Sequence, residues 1–201
     1  MAEIQEWRGI RGLVAAEVLT DDTDTFECGT PFAVAGVAEI ARTTESSSES
    51  HFYDNVPAVV IDSTGADEVT ITASAIPFEA LAKITGQYYD AAKGMLVEGE
   101  RENKYFAIGY IAKKTDGTEV FVWRLKGKFN IPDSTHATED DGADANGQEI
   151  IFTGINTNHK FTVNGKKKTA KAVNVDTGVN AVEETEFFAE VQTPDTVTAA
   201  A

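Results

Sequence analysis

The sequence predicts a mainly β protein: an antiparallel β-sandwich or barrel with one short flanking α-helix and extended loops and arms. Three observations support this prediction. Short apolar runs recur along the chain, and turn-forming Gly, Asp, Asn and Ser residues separate them. Two dipeptides typical of tight β-hairpins, Asp116-Gly117 and Asn164-Gly165, lie between such runs. Helical spacing of apolar residues is clearest in residues 77–85.

The strongest strand signal lies in residues 104–129, where two apolar runs flank a turn at residues 115–118. Asp-Gly at the centre of the turn favours a hairpin, because tight hairpin turns need φ > 0. In the second arm Phe121, Trp123 and Leu125 occupy alternate positions, so the period of two places them together against a core. We predict that this hairpin is the centre of the domain. The opposite face of the same arm would be exposed to water in an isolated sandwich, and it carries Val120, Val122 and Arg124.

The chain begins with a segment that predicts a polar N-terminal arm, residues 1–12, before a first strand at residues 13–19. Trp7 lies in this arm without periodic apolar neighbours. Two interpretations remain open for it: the indole closes over the core of its own subunit, or it anchors on a neighbouring molecule.

A long loop is predicted at residues 42–55, after a strand at residues 38–44. Residues 45–51 contain no apolar side chain, which is typical of a flexible and exposed segment. The loop ends in an aromatic pair, Phe52-Tyr53. This pair either docks on another molecule or marks the return of a disordered surface loop to the core.

A helix is predicted at residues 77–85, after strands at residues 58–61 and 68–73. Pro77 is compatible with a first helical turn, and Gly86 stands where a helix ends in a left-handed conformation. The side chains expected to pack on the sheet are Phe78 and Leu81.

The last third of the chain combines a linker, a strand and a second hairpin. Residues 132–147 have a linker-like composition, residues 148–155 predict a strand, and residues 160–175 predict a hairpin around Asn164-Gly165. The lysines at residues 166–168 either bind an acidic patch on another copy or protect a solvated strand edge. Residues 181–191 are a possible helix, and the chain from Pro194 onward is predicted to be frayed.

Composition restricts the classes of function. The chain has 201 residues, 42% of them hydrophobic, and a formal net charge of −16. The negative charge disfavours attractive binding to nucleic acid. The sole cysteine, Cys28, excludes an internal disulfide and fits a reducing compartment. We expect no membrane span, because no apolar run reaches about 18 residues, and no signal peptide.

Residues able to carry chemistry do not form a recognisable pattern. The three histidines, His51, His136 and His159, are far apart in sequence, and Cys28 is expected to be a small buried apolar side chain. Residues 141–147 superficially resemble a calcium loop, but the register lacks the first carboxylate and the final Glu of such loops. We therefore expect no catalytic residues, no cofactor and no metal, and we predict a structural protein and not an enzyme.

Several short motifs occur in an order that is typical of one known family. They are residues 12–18 before an acidic turn, residues 29–36 (Gly-Thr-Pro-Phe-Ala-Val-Ala-Gly), residues 76–81 ahead of Gly86, residues 107–110, residues 122–129, and Phe187-Phe188 followed by Val191 and Pro194. With these motifs the chain resembles the major tail proteins, or tail tube proteins, of bacteriophages with long non-contractile tails, the phi13-type family. The resemblance covers most of the chain, but residues 45–50 and 132–147 are not family signatures.

The resemblance implies a β-sandwich flanked by a helix, with copies that join side by side into rings, usually hexameric. Each copy contributes one sheet to a continuous inner β-barrel, and the rings stack into a tube around the tape measure protein. Tail terminator and distal tail or baseplate proteins would close the ends. Viral double-stranded DNA would pass through the bore without specific binding. The implied location is the virion tail, and the host cytoplasm before assembly.

The resemblance also implies roles for particular segments. The tail tube domain would occupy residues 13–175, between the N-terminal arm 1–12 and a C-terminal arm 176–201. Loop 42–55 is the candidate contact between rings, through Arg42, Glu45, Glu49, His51, Phe52, Tyr53 and Asp54. The candidate anchors of the arms are Trp7, Phe187 and Phe188.

Two other functions remain open from the sequence. The first is a monomeric β-sandwich that binds glycans at a cell surface, because aromatic side chains stack on sugar rings. The second is a jelly-roll hydrolase, although no cluster of ligands and no nucleophile indicates it. The aromatic residues that would form a glycan platform are Trp7, Tyr53, Tyr88 and Tyr89.

Overall fold

The computed structural model describes residues 4–134 and 147–199 of the chain. Strands account for 54% of the structure and helices for 7%, which confirms the predicted mainly β, antiparallel fold. The strands are β1 (Trp7–Asp21), β2 (Phe26–Cys28), β3 (Phe32–Ala33), β4 (Val37–Tyr53), β5 (Val56–Ala73), β6 (Tyr88–Asp90), β7 (Met95–Val97), β8 (Phe106–Lys114), β9 (Glu119–Phe129), β10 (Gln148–Gly154), β11 (Phe161–Val163), β12 (Lys166–Lys168) and β13 (Ala172–Asp176). The helices are α1 (Phe78–Thr85) and α2 (Glu184–Phe187).

Nine of the strands form one antiparallel sheet, in the order β2-β1-β8-β9-β10-β5-β4, with β3 beside β1 and β13 beside β9. Strand β9 is the centre of this sheet. One of its edges pairs with β8, and its other edge pairs first with β13, from Val120 to Arg124, and then with β10, from Gly127 to Phe129. The predicted Asp116-Gly117 hairpin is confirmed as β8–β9, and Gly117 has a φ of 93°.

One face of β9 is covered by the C-terminal part of the chain. Phe121, Trp123 and Leu125 are buried on this face together with Phe187. The indole Nε1 of Trp123 donates a hydrogen bond of 3.1 Å to the carbonyl oxygen of Phe187, so its buried N–H is satisfied. The ring of Phe188 lies 5.5 Å from that of Trp123, between centroids.

The other face of β9 is buried as well, so Val120, Val122 and Arg124 do not face water even in the single chain. Val120 and Val122 pack with Tyr110 of β8, and Ile10 and Ile40 lie against this group. The main core continues from there under α1. It includes Ile71, Ile108, Ile150, Phe152, Ala80 and Ile84.

Helix α1 has the predicted extent, with Pro77 at its N-cap and Gly86 at φ 70° at its C-cap. The predicted packing face is wrong for Phe78, whose side chain is 54% exposed. Ala80 and Ile84 lie on the face of the helix that is buried against the sheet. Phe78 is about 200° around the helix from Ala80, so its side chain lies on the opposite, exposed face. Leu81 packs against the core as predicted.

The structure corrects the predicted arms at both termini. Residues 7–12 belong to β1 and pair with β8, beginning with Trp7 opposite Lys114. In the C-terminal segment, Phe187 is 2% exposed and is buried in its own subunit. The described chain after Pro194 is held to the rest of the protein, because the side-chain amide of Asn180 donates a 2.9 Å hydrogen bond to the carbonyl of Thr198.

The second predicted hairpin is confirmed as β11–β12, with Asn164 at φ 51° and Gly165 at φ 71°. The three lysines of β12 are exposed on this small hairpin. Most of the predicted linker 132–147 lies outside the described residues, as do His136 and most of the calcium-like segment.

We predict that Phe187→Ala lowers the free energy of unfolding by about 3–5 kcal/mol, because it removes a buried aromatic ring from the layer on Trp123. Urea unfolding followed by tryptophan fluorescence measures this loss. Val179→Ala is the control, because Val179 is 87% exposed and should change stability by less than about 0.5 kcal/mol. If Phe187→Ala were as stable as the wild type, the C-terminal segment would not be packed on β9 in solution.

Candidate assembly surfaces

The most distinctive surface is a long β-hairpin that extends beyond the sheet. Strands β4 and β5 remain paired to their tip, where Asp54 at φ 50° and Asn55 at φ 62° form the two-residue turn between Tyr53 and Val56. Positive φ at both central residues is the conformation of a type I′ turn, whose twist suits a hairpin. The predicted flexible loop 42–55 is therefore wrong: these residues are strand β4 and its turn.

Strand β10 pairs with β5 only between Asp67 and Ala73. We call residues 45–65, which lie beyond that pairing, the arm. Within the described residues neither edge of the arm pairs with a further strand. The nine residues that the arm takes from β4, at ~3.3 Å each, give it a length of roughly 30 Å.

The arm carries apolar side chains on its returning strand and at its tip. Six of them are 47–65% exposed. Contiguous exposed apolar groups of this kind mark interaction surfaces, and an isolated two-stranded hairpin is only marginally stable in water. The arm therefore has the properties of a segment that is covered in an assembly. The six residues are Phe52, Tyr53, Val56, Val59, Val60 and Ile61.

The other residues predicted to form the contact between rings are one arginine below the arm and four polar residues on it. Arg42 lies below the arm, where its guanidinium donates a 2.8 Å hydrogen bond to Thr44 Oγ1. The other predicted polar residues of the segment are exposed along the arm, from its base to the tip that carries Phe52 and Tyr53. They are Glu45, Glu49, His51 and Asp54.

A groove lies beside the base of the arm, between the first residues of β1 and strand β4. Its volume is about 1220 Å³. Strands β8, β9 and β13 also contribute to its lining. Trp7 lies at this groove with 66% of its side chain exposed, so it does not close over the core of its own subunit. The apolar lining residues include Ile10, Ile40, Tyr110, Val120 and Val122.

A buried ionic cluster lies in the same groove. The carboxylate of Asp67 is 2.9 Å from Arg124 Nη1, 3.0 Å from Lys171 Nζ and 3.8 Å from Arg42 Nη1. Burial raises the pKa of Asp67, but the hydrogen bonds from Lys171 and Thr44 and the positive charges of Lys171 and Arg124 outweigh it. The pKa therefore lies below its usual 3.8, and Asp67 is ionised at neutral pH.

A second buried ion pair, between Lys126 and Asp21, connects β9 to the end of β1. Burial raises the pKa of Asp21, but this effect is outweighed by Lys126 and by the backbone N–H groups of Asn158 and His159, which lower the pKa. The net pKa is below the usual value. This pair fixes the 157–159 turn on the sheet and is a structural contact.

The other residues considered for chemistry remain separate. Cys28 is partly buried, and burial with the nearby charge of Asp21 raises the pKa of its thiol to about 12, so the thiol is protonated at neutral pH. His51 is on the arm, whereas the ring of His159 packs edge-on against Phe161, 4.9 Å away between centroids. In residues 4–134 and 147–199 no group of three or more His, Cys, Asp and Glu side chains is arranged to hold a metal.

The aromatic residues that would form a glycan platform lie on different surfaces. Trp7 is at the groove, Tyr53 is at the tip of the arm, and Tyr88 and Tyr89 line a separate depression beside α1. The structure does not bring them into one stacking site. Among the described residues, no helix is long and apolar enough to cross a membrane.

A scan of the chain against known protein families finds no match, and no curated protein is significantly similar to it. The arm and the groove therefore have to be interpreted from their own geometry and charge. Sequence patterns had indicated part of the arm, namely a strand at residues 58–61 and the aromatic pair at its tip. The groove had no local signal, because its residues come from six strands, most of them distant in sequence.

We predict that Asp67→Asn lowers the free energy of unfolding by about 3 kcal/mol at pH 7, because it leaves buried cations without their carboxylate. The folded-state pKa of Asp67 is lowered, so its contribution is fully present above the unfolded value of 3.8 and is lost as pH falls through the folded value. Urea unfolding of both proteins at pH 7, 5 and 3 should show equal differences at pH 7 and 5 and a smaller one at pH 3.

The matched control is Asp62→Asn, on the exposed arm, which should have little effect at any of these pH values. A difference between the wild type and Asp67→Asn that stayed the same from pH 7 to pH 3 would show that the charge of Asp67 does not stabilise the fold.

Proposed function

We propose that this chain is a structural subunit of a bacteriophage tail tube, and that its copies assemble into stacked rings. The observation that carries the proposal is the arm: a paired hairpin of roughly 30 Å with exposed apolar side chains, attached to a fully packed β body. A monomer gains nothing from such a surface, whereas a subunit that contacts neighbours buries it. The order of sequence motifs that resembles tail tube proteins supports the same function.

The body of the fold suits a rigid building block. The hairpin β8–β9 is buried on both faces, and two buried ion pairs tie β9 to β1 and β5. Rigid bodies that carry extended arms assemble with little loss of conformational entropy in the body itself. As the resemblance to tail tube proteins implies, the proposed ring is a hexamer, and each subunit contributes one sheet to its inner wall.

The negative charge of the chain supports a role as a conduit. A wall with an excess of Asp and Glu repels phosphate groups, so DNA slides through the bore without binding. This repulsion acts over about one Debye length, ~8 Å at physiological ionic strength. The proposed partners are other copies of this chain, the tape measure protein inside the tube, and the tail terminator and distal tail or baseplate proteins at its ends. The proposed location is the virion tail, after assembly in the host cytoplasm.

The structure shifts the proposed contact between rings from a loop to a stiff hairpin. The charged and aromatic residues of the predicted contact segment are still its candidates, because all of them are exposed on the arm or at its base. Trp7 remains the candidate anchor at the N-terminus. Phe187 and Phe188 would instead stabilise the subunit itself, since both contact Phe121.

We predict that the purified protein forms rings or tubes at high concentration, and that Val60→Asp prevents this. The substitution puts a charge on the apolar strand of the arm, where burial against a neighbour would leave the charge unpaired. Negative-stain electron microscopy and light scattering measure assembly, and circular dichroism shows whether the variant remains folded. The matched control is Val179→Asp, which places the same charge on an exposed valine outside the arm.

Wild-type protein that persisted as a monomer under all conditions, even with tape measure protein, would contradict the proposal. Equal assembly of the Val60→Asp variant and the wild type would contradict the role given to the arm.

A further inference from the structure

We propose that the arm of one copy docks in the groove of the next copy, so that the subunits join head to tail. The inference depends on the proposed function, because it names the surface that the same arm recognises. Both surfaces belong to one chain and differ from each other. A contact between two different surfaces of the same chain is called heterologous. When every copy makes it, the copies form either a closed ring or an open filament.

The groove has the size and character of a site for a peptide segment. Its volume of about 1220 Å³ exceeds the ~300–1,000 Å³ of pockets that typically enclose small ligands. Ile10 and Ile40 lie in its lining and are only partly buried, above the buried side chains of Val120 and Val122. An apolar strand such as Val56–Ile61 would cover these side chains.

Strand edges on both sides of the groove are unpaired within the described residues. On one side, residues 7–12 of β1 pair with β8 alone, since β2 and β3 pair only with later residues of β1. On the other side, β4 pairs only with β5. Exposed strand edges present backbone donors and acceptors to an incoming strand, which gives the arm a second way to bind.

The charges of the two surfaces are complementary. The arm contains four acidic residues and no Lys or Arg. The groove is lined by four cationic and two acidic side chains, although the whole chain carries a net charge of −16. Arg8 and Arg42 are exposed there, and the buried Arg124 Nε has no hydrogen-bond partner among the described residues. The acidic residues of the arm are Glu45, Glu49, Asp54 and Asp62.

Apart from Thr64 at its base, the arm does not reach the groove of its own subunit. Thr44 and Thr64 line the groove, and the arm starts at these residues and continues β4 and β5 as a paired hairpin. Turning back into the groove would break the ladder that runs from Ser46–Thr64 to Tyr53–Val56. The occupant is therefore the arm of another copy.

The test uses two complementary variants of the full chain. In the armless variant, residues 48–62 are replaced by Asn-Gly, which connects the facing residues Ser47 and Ser63 by a two-residue turn. The groove variant carries Arg8→Glu and Arg42→Glu and keeps its arm. Each variant alone should sediment as a smaller species than the wild type in analytical ultracentrifugation, because neither can form the arm–groove contact with its own copies. Their mixture should form a 1:1 complex, because one supplies the arm and the other the groove.

The groove variant should self-associate at least about tenfold more weakly than the wild type, since two favourable charge contacts become repulsive. The charge-matched control is Lys83→Glu with Lys93→Glu, which changes the net charge equally but lies outside the groove and should assemble normally. Since Arg42 is near Asp67, Arg8→Glu alone is a second variant in case the double variant does not fold. It should show a smaller loss in the same direction.

A photoreactive benzoylphenylalanine at position 60 provides an independent readout. In a mixture of isotopically labelled and unlabelled protein, it should link the arm to residues 7–10 or 38–44 of a different copy. Three results would overturn the docking proposal and leave the tail tube proposal intact. They are cross-links to other surfaces, the absence of a complex between the two variants, and normal tubes formed by the groove variants. A 1:1 complex of the variants, with no rings or tubes from the wild type, would support the contact and contradict the tail tube function.

Discussion

The structure depends on strand β9, which is paired along both edges and buried on both faces. Its aromatic face holds the C-terminal segment through Trp123 and Phe187, and its opposite face carries Arg124, which binds Asp67 of β5. These two contacts join the middle and the end of the chain to one strand, and the ion pair of Lys126 with Asp21 joins the first strand to it as well. A domain organised in this way can carry long appendages, because its stability does not depend on them.

The arm is the complementary feature: it adds exposed apolar area and gains no packing within the subunit. Its pairing is set by a tight turn at the tip and by a ladder with one irregularity between His51 and Phe52. A preordered arm binds with a smaller loss of entropy than a disordered loop of the same composition. In the proposed tail tube, the negative charge of the arm and of the whole chain would repel copies from one another before assembly.

The sequence was informative where local chemistry decides the structure. Asp116-Gly117 and Asn164-Gly165 identified both hairpins because their turns require positive φ, and Gly86 identified the end of α1 for the same reason. The alternation in β9 identified its buried aromatic face. These signals do not depend on distant parts of the chain.

The sequence failed where a distant partner decides the structure. Residues 45–51 have the composition of a loop, and they form a strand because Val59, Val60 and Ile61 face them across the hairpin. The turn Asp54-Asn55 was the local signal that could have revealed this pairing. The burial of Phe187 and the ion pair between Asp67 and Arg124 depend on contacts across more than 50 residues, which no periodicity reports.

The most direct test of the central claim is a reconstruction of the assembled protein by electron cryomicroscopy at a resolution that separates β-strands. If the arm docks as proposed, it leaves its own subunit and its apolar strand lies in the groove between β1 and β4 of a neighbouring copy. An assembly in which the arms project into solvent, or fold back on their own subunits, would contradict it.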